Sequence, residues 1–252
     1  MILRNILQHF PKTDHSELIR IINSFNEVEQ NDIIKDIGFV TPNIVENILQ
    51  ITTHFPTVKL KIDGGYDKAV KKKIILYPNY YEDIDSEIIL FEIKYPRKFQ
   101  KLEHKHILGT LLNNGIRENL IGDIIINEEG IIQIILDKKL KDSIDILVPK
   151  INKFNVEFII INEINILKKE NTLKVYKAKS LRIDAIVKTI LRISRQEANR
   201  LIKGNKVRVN YTLINENRYI VKIGDVFSIR GYGHYEIEEI KEVNNGYNIF
   251  YR

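Results

Sequence analysis

The chain has 252 residues, 44% of them hydrophobic, and 39 Lys and Arg against 33 Asp and Glu give a formal charge of +6. That supply of apolar side chains supports one or more cores and two or three domains, which excludes a disordered polymer. Cysteine is absent, which excludes disulfides and thiolate metal sites and suits a reducing compartment.

The opening Met1-Ile2-Leu3-Arg4-Asn5 lacks the basic-then-apolar order of a signal peptide. No apolar run approaches the ~20 residues that cross a bilayer, so a cytoplasmic protein is expected. An N-terminal, mostly helical unit is expected over 1–80. Thr41-Pro42 supplies an N-cap followed by proline at the first helical position, and Ile44, Val45, Ile48 and Leu49 fall at helical spacing. Val58 to Asp63 alternates like a strand and ends at Gly64-Gly65, a turn signal. Lys71-Lys72-Lys73 reads as a solvated run that could assist RNA binding through charge.

Over 81–167 the pattern becomes regular. Strand Ile88–Ile93, helix His104–Asn114 stopped by Gly115, strand Ile121–Ile126, strand Ile131–Leu136, a helix to about Lys150 and strand Val156–Ile161 give βαββαβ, a ferredoxin-like (RRM-like) order. RNA-binding sheets of this kind stack bases on aromatics. Here only Phe91 sits on the first strand and 131–136 has none, so the domain reads as a scaffold or protein-docking unit. Residues 168–179 read as a linker. The fold class is therefore α+β.

Charge concentrates at the end of the chain. Between Ser180 and Tyr235 eleven Lys or Arg face four acids, a net +7, leaving −1 for the remainder. Cations confined to one small module give a polyanion a place to dock. Ser180 can cap a first helix from Leu181 to about Arg192, and Ser194 a second, with Glu197 completing a capping box. Gly204 is expected to supply a left-handed stop. Along the first helix Asp184, Lys188 and Arg192 line up, with Asp184 placed to brace Lys188. The second buries Ala198, Leu201 and Ile202 and turns Arg195, Gln196, Asn199, Arg200 and Lys203 outward. The next strand sends Lys206, Arg208 and Asn210 out and Val207 and Val209 in. The expected RNA contacts are Arg182, Lys188, Arg192, Ser194, Arg195, Asn199, Arg200, Lys203, Lys206, Arg208 and Asn210.

Arg-x-Asp at 182–184, Ser-Arg-x-x-Ala at 194–198, Ile202-x-Gly204, Val209-Asn210 and Gly224-Asp225 make residues 180–236 resemble the RNA-binding domain named after ribosomal small-subunit protein four, here the S-four domain. That family has glycine after the hairpin Asn, whereas this chain has Tyr211, which could stack on a base. Gly64-Gly65-Tyr66, His106-Ile107-Leu108-Gly109-Thr110-Leu111-Leu112-Asn113-Asn114-Gly115-Ile116-Arg117 and Ile121-Gly122-Asp123-Ile124, followed by an S-four domain, resemble the YlmH-type proteins of bacterial cell-division gene clusters. The resemblance implies a ribosome-associated protein that binds rRNA or tRNA, acting on the large subunit.

Enzyme chemistry has little to stand on in these motifs, and no cofactor or metal is expected. Arg182-Ile183-Asp184 superficially resembles a pseudouridine-synthase signature, but its Asp fits a helix register in the basic module. No glycine-rich loop opens a Rossmann helix. His104 and His106 point to different helix faces, a poor metal pair. An RNA-modifying enzyme and a division-linked adaptor remain the alternatives. Gly109, Gly115 and Gly122 are expected to serve packing and turns, with Arg117 an exposed contact.

Overall fold

The computed structural model describes residues 6–8, 10, 15–98, 101–165 and 173–251, in two compact units, Met1–Lys169 and Glu170–Arg252.

In the first unit α1 (His15–Asn31) turns Leu18, Ile21, Ile22, Phe25 and Val28 inward, the spacing of one helical face. It is followed by β1 (Lys35–Val40), α2 (Pro42–Thr52), β2 (Val58–Asp63) and β3 (Lys72–Pro78). The strands pair antiparallel in the order β1-β3-β2. The described residues of 1–80 thus mix helices with a three-stranded sheet and are not mostly helical, which corrects the sequence reading. β1 is a short strand bulged at Gly38, whose φ is +88°, and it lacks the alternation that marks a half-buried strand. β3 is buried almost end to end, so its apolar run has no period to read.

The chain continues through β4 (Ile88–Lys94), α3 (His104–Asn113), β5 (Ile121–Ile126), β6 (Ile132–Asp137), α4 (Ile144–Leu147), the short pair β7 (Lys150–Ile151) and β8 (Phe154–Asn155), and β9 (Glu157–Ile161). Strands β5-β6-β4-β9 form one antiparallel sheet. The helix expected to reach Lys150 is a single turn, because Pro149 drives the preceding Val148 out of helical geometry (φ −131°, ψ 64°). One sheet face carries Phe91, Ile93, Ile134 and Leu136 against Ile107, Leu111 and Ile144. The other sets Leu90, Ile125 and Ile135 against Phe39, with Tyr66 packed alongside. The face on which bases would stack is thus occupied by the N-terminal half of the same unit, and Phe91 points to the opposite side.

Two polar locks fasten these halves, so the boundary expected near residue 80 falls inside one compact unit. The Asp123 carboxylate accepts hydrogen bonds from the Tyr66 hydroxyl (2.8 Å), the Val70 amide (2.7 Å) and the Lys71 amide (3.1 Å). Beside it, a Cβ on Gly122 would lie 2.8 Å from the Phe39 ring. Lys73, buried at 1% exposure, reaches Asp137 at 2.8 Å, Asp36 at 3.5 Å and the Glu87 carbonyl at 2.7 Å. Burial pushes the Asp36 carboxyl up, but the hydrogen bond from Lys139 and the charge of Lys73 outweigh it and hold the group below its ordinary value. Lys73 is therefore no part of a solvated run. Gly122 meets the packing expectation, and Gly115 the turn expectation with φ +82°, whereas a Cβ on Gly109 would meet open space and nothing in the fold explains that glycine.

In the second unit β10 (Lys174–Ala178), α5 (Ile183–Leu191), α6 (Arg195–Lys203), β11 (Val207–Val209), β12 (Thr212–Leu213), β13 (Val226–Ile229), β14 (Gly233–Val243) and β15 (Gly246–Tyr251) build a sheet of order β10-β15-β14-β13-β11-β12. Part of the expected linker, 168–172, lies outside the described residues. Residues 174–178 are a strand paired with β15: Val175 and Tyr176 are strand-forming residues between the lysines, and Ala178 is buried. Ile183, Ile186, Val187, Ala198, Ile202, Val207 and Phe227 centre the core.

Candidate nucleic-acid interface

Arg182 is the N-cap of helix α5, two residues later than the expected cap Ser180, whose Oγ instead accepts from the Arg182 amide at 3.2 Å. Helix α6 is capped as expected by Ser194, whose Oγ accepts from the Glu197 amide at 3.1 Å. Its end differs from the expectation. Gly204 is right-handed (φ −82°), and Asn205 takes the left-handed position (φ 55°). The Lys206 amide then donates to the Leu201 carbonyl at 3.0 Å and the Asn205 amide to Ile202 at 3.1 Å, a Schellman closure with asparagine in the glycine role.

Asp184 is the hub of the helix pair. It is buried at 1% exposure and receives Arg182 Nε at 3.1 Å and Nη2 at 3.3 Å, with Arg195 Nε at 2.9 Å and Nη2 at 2.8 Å. Burial pushes its carboxyl up, but the hydrogen bonds and charges of Arg195 and Arg182 prevail and hold it below the ordinary carboxylate range. It does not brace Lys188, as the helical spacing suggests. A contact across two helices displaces the pair four residues along one.

The expected contacts divide into three groups. Lys188, Arg200, Lys203 and Lys206 are exposed and have no acid partner among the described residues. Arg182, Arg192, Arg195 and Arg208 are held by protein groups that fix where their charge points. Arg192 closes α5 in the left-handed region (φ 55°), donates to the Tyr176 hydroxyl at 3.2 and 3.0 Å and lies 5.5 Å from that ring's centre. Arg208 Nη1 donates to the Tyr211 carbonyl at 3.0 Å. The third group is structural. Asn210 Nδ2 donates to Asp225 at 2.8 Å and its Oδ1 accepts from the Val226 amide at 2.9 Å, so its side chain is spent on the fold. Ser194 is a cap, and Asn199 is half-buried.

Asp225, 4% exposed, also accepts from the Tyr219 hydroxyl at 2.9 Å and the Lys222 amide at 2.8 Å. Burial and that hydrogen bond push the Tyr219 phenol up to about 12. Asn210 (φ 47°) and Tyr211 (φ 67°) form the two-residue hairpin loop between β11 and β12, so the type I′ turn survives without its usual glycine. Tyr176 was hidden from the sequence reading by its place in the expected linker. Its only signal was an aromatic among alternating lysines.

A carboxylate-braced pair of basic helices against a small antiparallel sheet defines an RNA-binding module of the S-four class. Residues 181–227 match the family model of the S4 domain, and residues 82–166 match one described as "Putative RNA-binding domain in YlmH". A curated relative, ribosome-associated protein quality control protein P2 of Bacillus subtilis, is 30% identical over 243 residues, which cover 95% of this chain and 94% of the relative. The chain belongs to the YlmH family of RNA-binding proteins with a C-terminal S-four domain. A solved structure, cell division protein YlmH from Streptococcus pneumoniae, aligns at a TM-score of 0.53 and 23% identity over 61% of this chain and 93% of that one, a likeness of fold. Among the described residues no helix is long and apolar enough to cross a membrane.

Proposed function

We propose that the chain is a non-catalytic, cytoplasmic RNA-binding protein that grips structured rRNA or tRNA on the ribosome, at the large subunit, through its C-terminal module. One observation carries this reading: eight Lys and Arg are presented by two short helices and a strand, half of them fixed by internal contacts and half left without acid partners. Fixed guanidiniums suit phosphate oxygens, because they lose little side-chain freedom when a ligand arrives. The name of the Bacillus relative supports the ribosome as the place of action. The covered sheet face supports a scaffold role for 82–166 in place of base stacking. Asp184, occupied by two guanidiniums, is poorly placed as a catalytic acid or nucleophile, which supports the non-catalytic reading.

Crosslinking in cells with sequencing of the attached RNA tests it. Enrichment of rRNA or tRNA fragments, lost in an Arg200→Glu, Lys203→Glu variant, is the expected result. Enrichment of messenger RNA alone, or of no RNA, would overturn it.

A further inference from the structure

We propose that the C-terminal module holds a nucleotide-sized site, an open cleft of about 670 Å³ lined by Arg182, Lys203, Asn215, Glu216, Asn217 and Arg218, which takes one unpaired nucleotide of a structured RNA. The proposal rests on RNA being this module's ligand and adds what part of the RNA it singles out.

The backbone builds the cleft. The Ile183 amide donates to Tyr219 and the Val221 amide to Leu181, each at 2.9 Å, and Arg182 bridges Ile220. The 215–218 loop is thereby brought against the start of α5, while Lys203 enters from the last turn of α6. Arg182 is already aimed, since Asp184 engages its Nε and Nη2 and leaves Nη1 uncommitted. Lys203 and Arg218 have no acid partner among the described residues, and Glu216 is paired with neither.

Three cations against one carboxylate leave the cleft net positive, and a concave wall of low dielectric concentrates that field on an entering anion. A phosphate presents oxygens that guanidinium groups bind in pairs. Asn215 and Asn217 are the second feature. A site for bare phosphate needs donors only, whereas carboxamides offer a donor and an acceptor side by side, the pattern of a base edge. Asn217 Oδ1 is sheltered and accepts no hydrogen bond, an acceptor left unmet in the free protein. A base paired within a helix cannot present its edge there; a bulged or looped one can.

The test uses the full chain and a set of RNA hairpins, one fully paired and four differing only by a single bulged nucleotide of each base. At least one bulged hairpin should bind roughly tenfold more tightly than the paired one, about the worth of one good base contact. Asn215→Ala, Asn217→Ala should erase that preference while keeping paired-hairpin affinity within about twofold, and Arg218→Ala should weaken the bulged hairpin more than the paired one. If the double variant melts early, the exposed Asn215→Ala alone must reduce the preference. Equal wild-type binding of all five hairpins, or a preference that survives these variants, overturns the cleft and leaves the module's RNA binding standing. Wild-type binding of no hairpin removes both readings.

Discussion

Arg195 and Asp184 join the two helices of the basic module: the guanidinium at the first residue of α6 donates through Nε at 2.9 Å and Nη2 at 2.8 Å to a carboxylate in the first turn of α5. Arg195 is therefore both a surface charge and a brace, and changing it alters two properties together. Arg200 and Lys203 separate them. Arg200→Glu, Lys203→Glu should leave the thermal midpoint of the second unit unchanged and weaken RNA binding at least tenfold. Log affinity should fall with log salt by roughly 0.7 to 0.9 per phosphate contacted, and titrations at several salt concentrations should give the double variant the shallower slope.

Asp184→Asn should release Arg182 and Arg195 and destabilise the second unit by about 1.5–3 kcal/mol at neutral pH, the range for hydrogen bonds to charged groups. The carboxyl is held below its ordinary value of 3.8, so its contribution is complete above that value and is lost as pH falls through the depressed one. Thermal melts from pH 7 to pH 3 should show the gap between wild type and variant constant at first and narrowing below about pH 4. A constant gap throughout would deny that the carboxylate charge holds the pair.

Gly122→Ala should destabilise the first unit by about 1–3 kcal/mol, the usual cost of overpacking, since the added Cβ would lie 2.8 Å from Phe39 and 3.0 Å from Ile135 Cβ. Tyr66→Phe removes one hydrogen bond to the Asp123 carboxylate and should cost about 1.5–3 kcal/mol. Urea unfolding of the full chain, followed on the first unit's transition, measures both. Neither change should alter RNA binding by the C-terminal module.

Tyr211→Gly should stabilise the second unit by up to about 1 kcal/mol, because a left-handed φ of 67° costs a side-chain-bearing residue about that much. If Tyr211 stacks on a base, the same variant should weaken RNA binding severalfold. Unchanged affinity would assign the residue to the turn alone.

What the sequence disclosed follows the reach of each interaction. The Ser194 cap, the inward face of Ala198, Leu201 and Ile202, and the alternation of β11 depend on residues within one or two turns, so spacing reveals them. The Asp184–Arg195 brace spans eleven residues and two helices, and helical spacing pointed to Lys188 instead. Strand β3 stayed hidden because burial on both faces erases periodicity. Asn210 and Gly204 show the same limit: the partners of Asn210, Asp225 and Val226, lie across the sheet, and the left-handed turn expected of Gly204 falls on Asn205. Tyr176 went unread because charged neighbours made its strand resemble a linker.

Lys73 gives the first unit a means of checking its own assembly. An ammonium stripped of water is tolerable only where acids meet it, and the acids here come from β1 and from the end of β6, on opposite sides of the junction between the halves. A hairpin seated one residue out of step would bury that charge with no answering carboxylate. The correct fit is thus selected by the penalty on every near miss, and the halves arrive at one shared geometry or fail to close.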